Sequence, residues 1–143
     1  MQVFCRQRAC RKFLRIDQNF ECTVSGINAD DIAIFKLGNS TTIGGVNYNG
    51  SIRKVDPATG QVIWASGLTG NVLGSPSVDG SGVIAAALYT NVATNGVYLI
   101  NSADGSIIRF IALAKEFAQP VYAGAFLFLA VQGGTLTVYK PPG

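Results

Sequence analysis

The sequence predicts an all-β chain assembled from repeated antiparallel sheets of about four short strands, and three observations predict it. First, a strand–turn–strand device, Val55-Asp56-Pro57-Ala58-Thr59-Gly60-Gln61-Val62-Ile63-Trp64, recurs 45 positions on. Asn101-Ser102-Ala103-Asp104-Gly105-Ser106-Ile107-Ile108 fills the slots of Asp56 through Ile63, and Arg109 takes the tryptophan slot. Second, each copy has a matching lead-in, Gly50–Val55 and Gly96–Ile100, and Gly134–Tyr139 supplies a third. Leu68 or Leu113 follows each turn. Then come Gly74-Ser75-Pro76-Ser77-Val78 or Ala118-Gln119-Pro120-Val121-Tyr122, and an apolar run, Gly82–Leu88 or Gly124–Val131. Third, 48% hydrophobic residues, 13% charged residues and 17 glycines fit short, well-buried strands joined by tight turns. Self-similarity at roughly 40–45 residues with about four strands per period marks a propeller blade. The fold class expected is a partial β-propeller of about two and a half to three four-stranded antiparallel blades.

Each turn residue has a physical reason. Asp56 caps the turn by accepting from backbone N–H groups ahead of it, and Asn101 keeps that oxygen. Pro57 presets φ at the first turn position, where the second copy has Ser102. Gly60 and Gly105 take the positive φ that a type I turn with a bulge requires. Strand alternation then places Val62 and Trp64 on one face.

Residues 1–22 form an atypical segment, either an end strand or no part of the repeat, and residues 23–143 carry the blades, at approximately 31–68, 72–112 and 119–143. Lys12–Ile16 alternates in the strand manner, and Cys22-Thr23-Val24-Ser25 reads as a strand. The first blade is expected to have strands near 31–37, 50–55 and 61–68. The second has them near 72–78, 82–88, 96–100 and 106–112, and the third near 119–122, 125–131 and 135–139. Gly38–Asn49 reads as a polar, glycine-rich loop between two strands of one blade, with a counterpart at Thr90–Asn95. Long loops on a rigid scaffold often bind. Asn39-Ser40-Thr41 and Asn49-Gly50-Ser51 match N-glycosylation acceptors. The run Ala123–Val131, far shorter than the ~20 residues of a membrane span, reads as a strand buried on both faces. Lys140-Pro141-Pro142-Gly143 cannot continue a paired strand, so the third blade is expected to lack its outer strand.

The chain has no histidine. His-based acid–base chemistry, Ser-His-Asp triads and His metal sites are thereby excluded. Cys5, Cys10 and Cys22 match no zinc spacing. Their odd number leaves at least one thiol free or paired with another chain, and a Cys5–Cys10 or Cys10–Cys22 disulfide stays open. Asp30-Asp31 and Asp79 read as turn residues. A net charge of +3 is too small to argue for nucleic acid, although Arg6, Arg8, Arg11, Lys12 and Arg15 crowd the first fifteen positions. The N-terminus has no apolar h-region, so no signal peptide is expected. No catalytic, cofactor-binding or metal-binding residue set is identified.

Asp56, Thr59, Gly60 and Trp64, followed by Gly74-Ser75-Pro76, give the pattern D-P-A-T-G-x-x-x-W. It resembles the tryptophan-docking repeat of pyrroloquinoline-quinone-like (PQQ-like) β-propellers, a superfamily that includes quinoprotein alcohol dehydrogenases and outer-membrane assembly lipoproteins of the BamB type. The resemblance covers about residues 31–143. It implies that Trp64 packs on the glycine turn of a neighbouring blade as a structural residue. Arg109 departs from the pattern, with Phe110 as its substitute. Quinoprotein dehydrogenases hold PQQ between a tryptophan floor and a vicinal disulfide, beside calcium. This chain has no adjacent cysteines, its one tryptophan is assigned to docking, and no acidic cluster suggests a calcium site.

The function expected is therefore a non-catalytic β-propeller segment, a scaffold or protein-binding module of a secreted or periplasmic repeat protein, with no cofactor. The alternative is a C-terminal fragment of a PQQ-dependent dehydrogenase whose active-site blades are absent here; a third is a degenerate gene fragment. Expected partners are the remaining propeller blades or a second copy through open blade faces, and a protein or carbohydrate ligand. Neither nucleic acid nor a membrane span is expected. Two to three blades are too few to close a ring, so the segment is expected to be the C-terminal end of a larger propeller with apolar faces open.

Overall fold

The structure is a computed structural model that describes residues 33–37, 40–56, 59–72, 74–89, 95–113, 119–131 and 133–140. The atypical segment 1–22, the strand expected at Cys22–Ser25 and the Asp30-Asp31 turn lie outside the described residues, as does most of the loop Thr90–Asn95.

Thirteen strands and no helix are found among the described residues. They are β1 (Ala33–Leu37), β2 (Thr41–Ile43), β3 (Val46–Tyr48), β4 (Gly50–Val55), β5 (Val62–Leu68), β6 (Asn71–Val72) and β7 (Ser77–Val78). Then come β8 (Val83–Tyr89), β9 (Gly96–Asn101), β10 (Ile107–Ala112), β11 (Val121–Ala123), β12 (Phe126–Val131) and β13 (Thr135–Tyr139). Every pairing is antiparallel. The first sheet has the order β1-β4-β5, the second runs β10-β9-β8-β6 with β7 also on β8, and the third is β11-β12-β13. Each is an up-and-down meander in chain order, and the three lead-ins found in the sequence are the corresponding strands β4, β9 and β13. This is a partial propeller: an all-β chain of consecutive small antiparallel sheets, none closed into a ring.

The sheets pack face to face because their strands alternate. Ile84, Ala86 and Leu88 of β8, with Tyr98 and Ile100 of β9, face Ile52 and Leu68 of the first sheet. The intervening Ala85, Ala87 and Val97 face Leu127 and Leu129 of the third. Strand β8 is thus apolar on both sides, as the middle layer of three requires.

Four expectations need correction. The stretch near 72–78 is two short strands, because Gly74 sits at φ 69° and the buried Pro76 has no N–H for the ladder. Val62 and Trp64 do not share a face. Val55 pairs with Val62 and Lys54 with Trp64, so Ile63 is an extra residue that bulges the strand and breaks its alternation. The same irregularity falls at Ile108, 45 positions later. The Gly38–Asn49 loop contains a hairpin, β2–β3, turned by Gly44 and Gly45 at φ 57° and 81°. Finally, β12 is buried on one face only. Leu127 and Leu129 point to the second sheet, whereas Phe126 and Ala130 are exposed on the other side, where no further sheet lies among the described residues.

Candidate functional site

The two repeated turns have the same backbone hydrogen bonds. The Gly60 N–H donates to the Asp56 carbonyl and the Gly105 N–H to the Asn101 carbonyl, both at 2.8 Å. The Asp56 N–H donates to Gln61 O, and the Asn101 N–H to Ser106 O, both at 2.9 Å. Asp56 Oδ1 accepts from the Thr59 N–H at 3.3 Å, and Asn101 Oδ1 from the Ala103 N–H at 2.9 Å. Gly60 and Gly105 stand at φ 77° and 76°, as the turn type requires.

The first sheet meets the second at one of these turns. Trp64 on β5 is half-buried and lies over Gly105: a Cβ there would come within 2.6 Å of Trp64 Cε3. The indole Nε1–H donates to Ser102 O at 3.1 Å, and Lys54 Nζ donates to the same carbonyl at 3.1 Å. The Ser66 hydroxyl donates to Gly105 O. Lys54 is paired with Trp64 across the ladder, and the even positions Trp64, Ser66 and Leu68 share the inward face, so three polar groups converge on the backbone of one turn. Sequence reasoning named Trp64 and the glycine but missed Lys54 and Ser66. Their signal was the even spacing of Trp64 and Ser66 beyond the bulge.

Among the described residues the second copy makes no such contact. Arg109 is exposed, and Phe110 stays in its own sheet, 4.7 Å from the Tyr98 ring and over Gly96. Phe110 therefore does not substitute for a docking tryptophan.

Asp79 is a turn residue. Its Oδ1 accepts from the N–H groups of Ser81 at 2.9 Å and Val83 at 2.8 Å. Asp104 accepts from the backbone N–H and the hydroxyl of Ser106, which hold its carboxyl below the usual range. Tyr122 faces the second sheet. Burial, with the Asp79 carboxylate adding to it, pushes its hydroxyl up to about 12. Among the described residues no three His, Cys, Asp or Glu side chains cluster as a metal site would need, and no helix is long and apolar enough to cross a membrane. The second glycosylation triplet is built into the sheet: Asn49 Nδ2 donates to Thr69 O at 3.0 Å, and Ser51 is fully buried.

The one tryptophan is seated on Gly105 and bonded to Ser102, and no two cysteines are adjacent in the sequence.

No protein-family profile matches the chain, and no curated protein gives a significant match. Among solved structures, a europium-containing methanol dehydrogenase is similar, with a TM-score of 0.44 and 13% identity over 75% of this chain. The chain spans 20% of that protein's length.

Proposed function

We propose that this chain is a non-catalytic β-propeller segment that acts as a scaffold or binding module in a secreted or periplasmic repeat protein. The observation that carries the reading is the engagement of Trp64, Lys54 and Ser66 with the backbone of the turn Asn101–Gly105. These are the groups at the sheet junction best suited to hold a ligand, and all three hold the second sheet to the first. Among the described residues the exposed Phe126, Leu136 and Val138 add apolar surface, which suits recognition by a macromolecule.

The test is addition of PQQ and calcium to the full chain, following quinone absorbance and dye reduction with alcohol substrates. The expected result is no saturable binding and no turnover above a protein-free control. Saturable binding, or turnover, would overturn the non-catalytic reading.

A further inference from the structure

The hairpin β2–β3 lies on the face of the first sheet that is turned away from the second. On that face Ser51 of β4 stands across from Gly67 of β5, and Arg53 across from Ala65. Tyr48 packs its ring directly over Gly67, and Arg53 Nη2 donates to Thr41 Oγ1 at 2.7 Å. Thr41 and Tyr48 are themselves partners across the hairpin, so one rung of the hairpin covers two rungs of the sheet.

Between these two layers the hydrogen bonding is incomplete. Ser51 is fully buried, and its hydroxyl has no partner. Arg53 Nε is buried as well, and its N–H meets no acceptor. Leaving a buried donor unmet is costly, and more so when the group is charged. Thr41 Oγ1 accepts from Arg53 and so has its own O–H to give. Every group at this spot is thus a donor, and one of them carries a positive charge. The three carboxylates among the described residues, Asp56, Asp79 and Asp104, each accept from an N–H in a turn of their own.

From this cluster we infer that Ser51, Arg53 and Thr41 form a binding site for a small free carboxylate, closed over by the hairpin β2–β3. The inference goes beyond the scaffold reading, which needs no small ligand. Three arguments favour a carboxylate. A water molecule would meet the hydroxyl but leave the guanidinium without a counter-charge, whereas an anion supplies both. One cation matches one negative charge, and the planar guanidinium edge matches a planar carboxylate better than a phosphate, which carries more charge and more oxygens than these donors serve. The spacing also fits: Ser51 and Arg53 lie two apart on one strand, about 6.6 Å, and the two oxygens of one carboxylate, each bonded at ~2.8 Å, bridge that gap.

The cover sets the size of the ligand. A carboxylate carried on a folded partner reaches Ser51 only by lifting the Tyr48 ring off Gly67, so the site suits a molecule of a few heavy atoms. Entry is through the hairpin itself. Its strands have three residues each, and a lone two-stranded hairpin is marginally stable, so it opens more readily than the sheet beneath it.

The test is a titration of the isotope-labelled full chain with sodium acetate from about 0.1 to 100 mM, at ionic strength held constant with sodium chloride, followed by nuclear magnetic resonance. The Arg53 Nε–H resonance is identified by its loss in Arg53→Lys. It should shift saturably in the parent, with a Kd of about 1–10 mM for a ligand of four heavy atoms and one charge. Ser51→Ala removes a hydroxyl that has no protein partner, so the fold should persist and the backbone spectrum stay that of the parent. Its Kd should rise roughly tenfold, the worth of one hydrogen bond to a charged group. Arg53→Lys should abolish the acetate-induced shifts of the Thr41 and Ser51 amides. The parent and Ser51→Ala decide the matter even where Arg53→Lys fails to fold. A parent that shows no saturable shift by 100 mM acetate would overturn the inference and leave the donors to water alone. So would an unchanged Kd in Ser51→Ala, or sodium phosphate that shifts the same resonance at lower concentration than acetate. None of these outcomes bears on the PQQ assay, so the two readings fail separately.

Discussion

Trp64 and Ser102, 38 residues apart in the chain, are joined by a 3.1 Å hydrogen bond from the indole N–H to the backbone carbonyl. The bond fixes the orientation of the indole, and the ring then covers Gly105. Truncating a buried aromatic costs ~3–5 kcal/mol. Trp64 is half-buried, so Trp64→Ala should cost about 3 kcal/mol in urea unfolding. Trp64→Phe keeps a ring over Gly105 and loses the N–H, and should cost about 1–2 kcal/mol. If both variants unfold at the parent's midpoint, the junction contributes nothing to stability.

Gly105 and Gly124 both have positive φ, 76° and 58°, but their surroundings differ. A Cβ at 124 meets nothing within 4 Å, whereas one at 105 lies 2.6 Å from Trp64 Cε3 and 2.9 Å from Ser66 Oγ. Gly124→Ala should therefore cost only the backbone penalty, about 1–2 kcal/mol. Gly105→Ala adds the clash and should cost about 3 kcal/mol or more. In the Trp64→Ala background the clash with the ring is gone, and the cost at 105 should fall toward that at 124. Additive costs in this double-mutant cycle would show that the two residues do not act on one another.

The turns and the sheet order were legible in the sequence because their chemistry is local. Asp56 and Gly60, and Asn101 and Gly105, are placed by turn type alone, and the apolar run Gly82–Leu88 declares a strand. Less legible was whatever depends on a third body. Ala123–Val131 reads like β8, but β12 is covered on one face, since burial depends on what neighbours the sheet. The bulge at Ile63 leaves no mark in composition, although it decides which way Val62 faces. In Gly38–Asn49 the Gly44-Gly45 pair signalled a hairpin turn, yet the flanking strands of three residues are too short to show alternation. Lys54 and Ser66 joined the candidate site only when Ser102 and Gly105 were brought to them from the next sheet.

Tyr122 supplies a pH-dependent contribution with a definite sign. Its hydroxyl titrates at about 12 in the fold against an ordinary 10.0, so the fold favours the neutral form. The stabilisation is fully present below about pH 10 and is lost as pH rises through about 12. Tyr122→Phe removes the titration and keeps the ring against the second sheet. Urea midpoints compared at pH 9 and 11.5 should fall further for the parent than for Tyr122→Phe. Equal falls would mean that Tyr122 ionises in the folded chain as it does in the unfolded one.

The hairpin β2–β3 packs on the first sheet with the Tyr48 ring over Gly67, and this seat depends on the absence of a side chain at position 67. A Cβ there would run directly into the Tyr48 ring, so the hairpin can lie on the sheet only over glycine. Valine is otherwise well suited to a strand. Gly67→Val should therefore displace the hairpin while the paired strands β4 and β5 persist. The Arg53–Thr41 hydrogen bond should be lost with it, since Thr41 sits on β2. Limited thermolysin digestion reads the event directly, as cleavage before Ile43 and Val46 should accelerate several-fold in Gly67→Val. Tyr48→Ala should open the hairpin to a similar degree, and Gly67→Val made in that background should add little further cleavage. Cleavage at the parental rate in Gly67→Val would mean that the hairpin is held by contacts other than the Tyr48 ring.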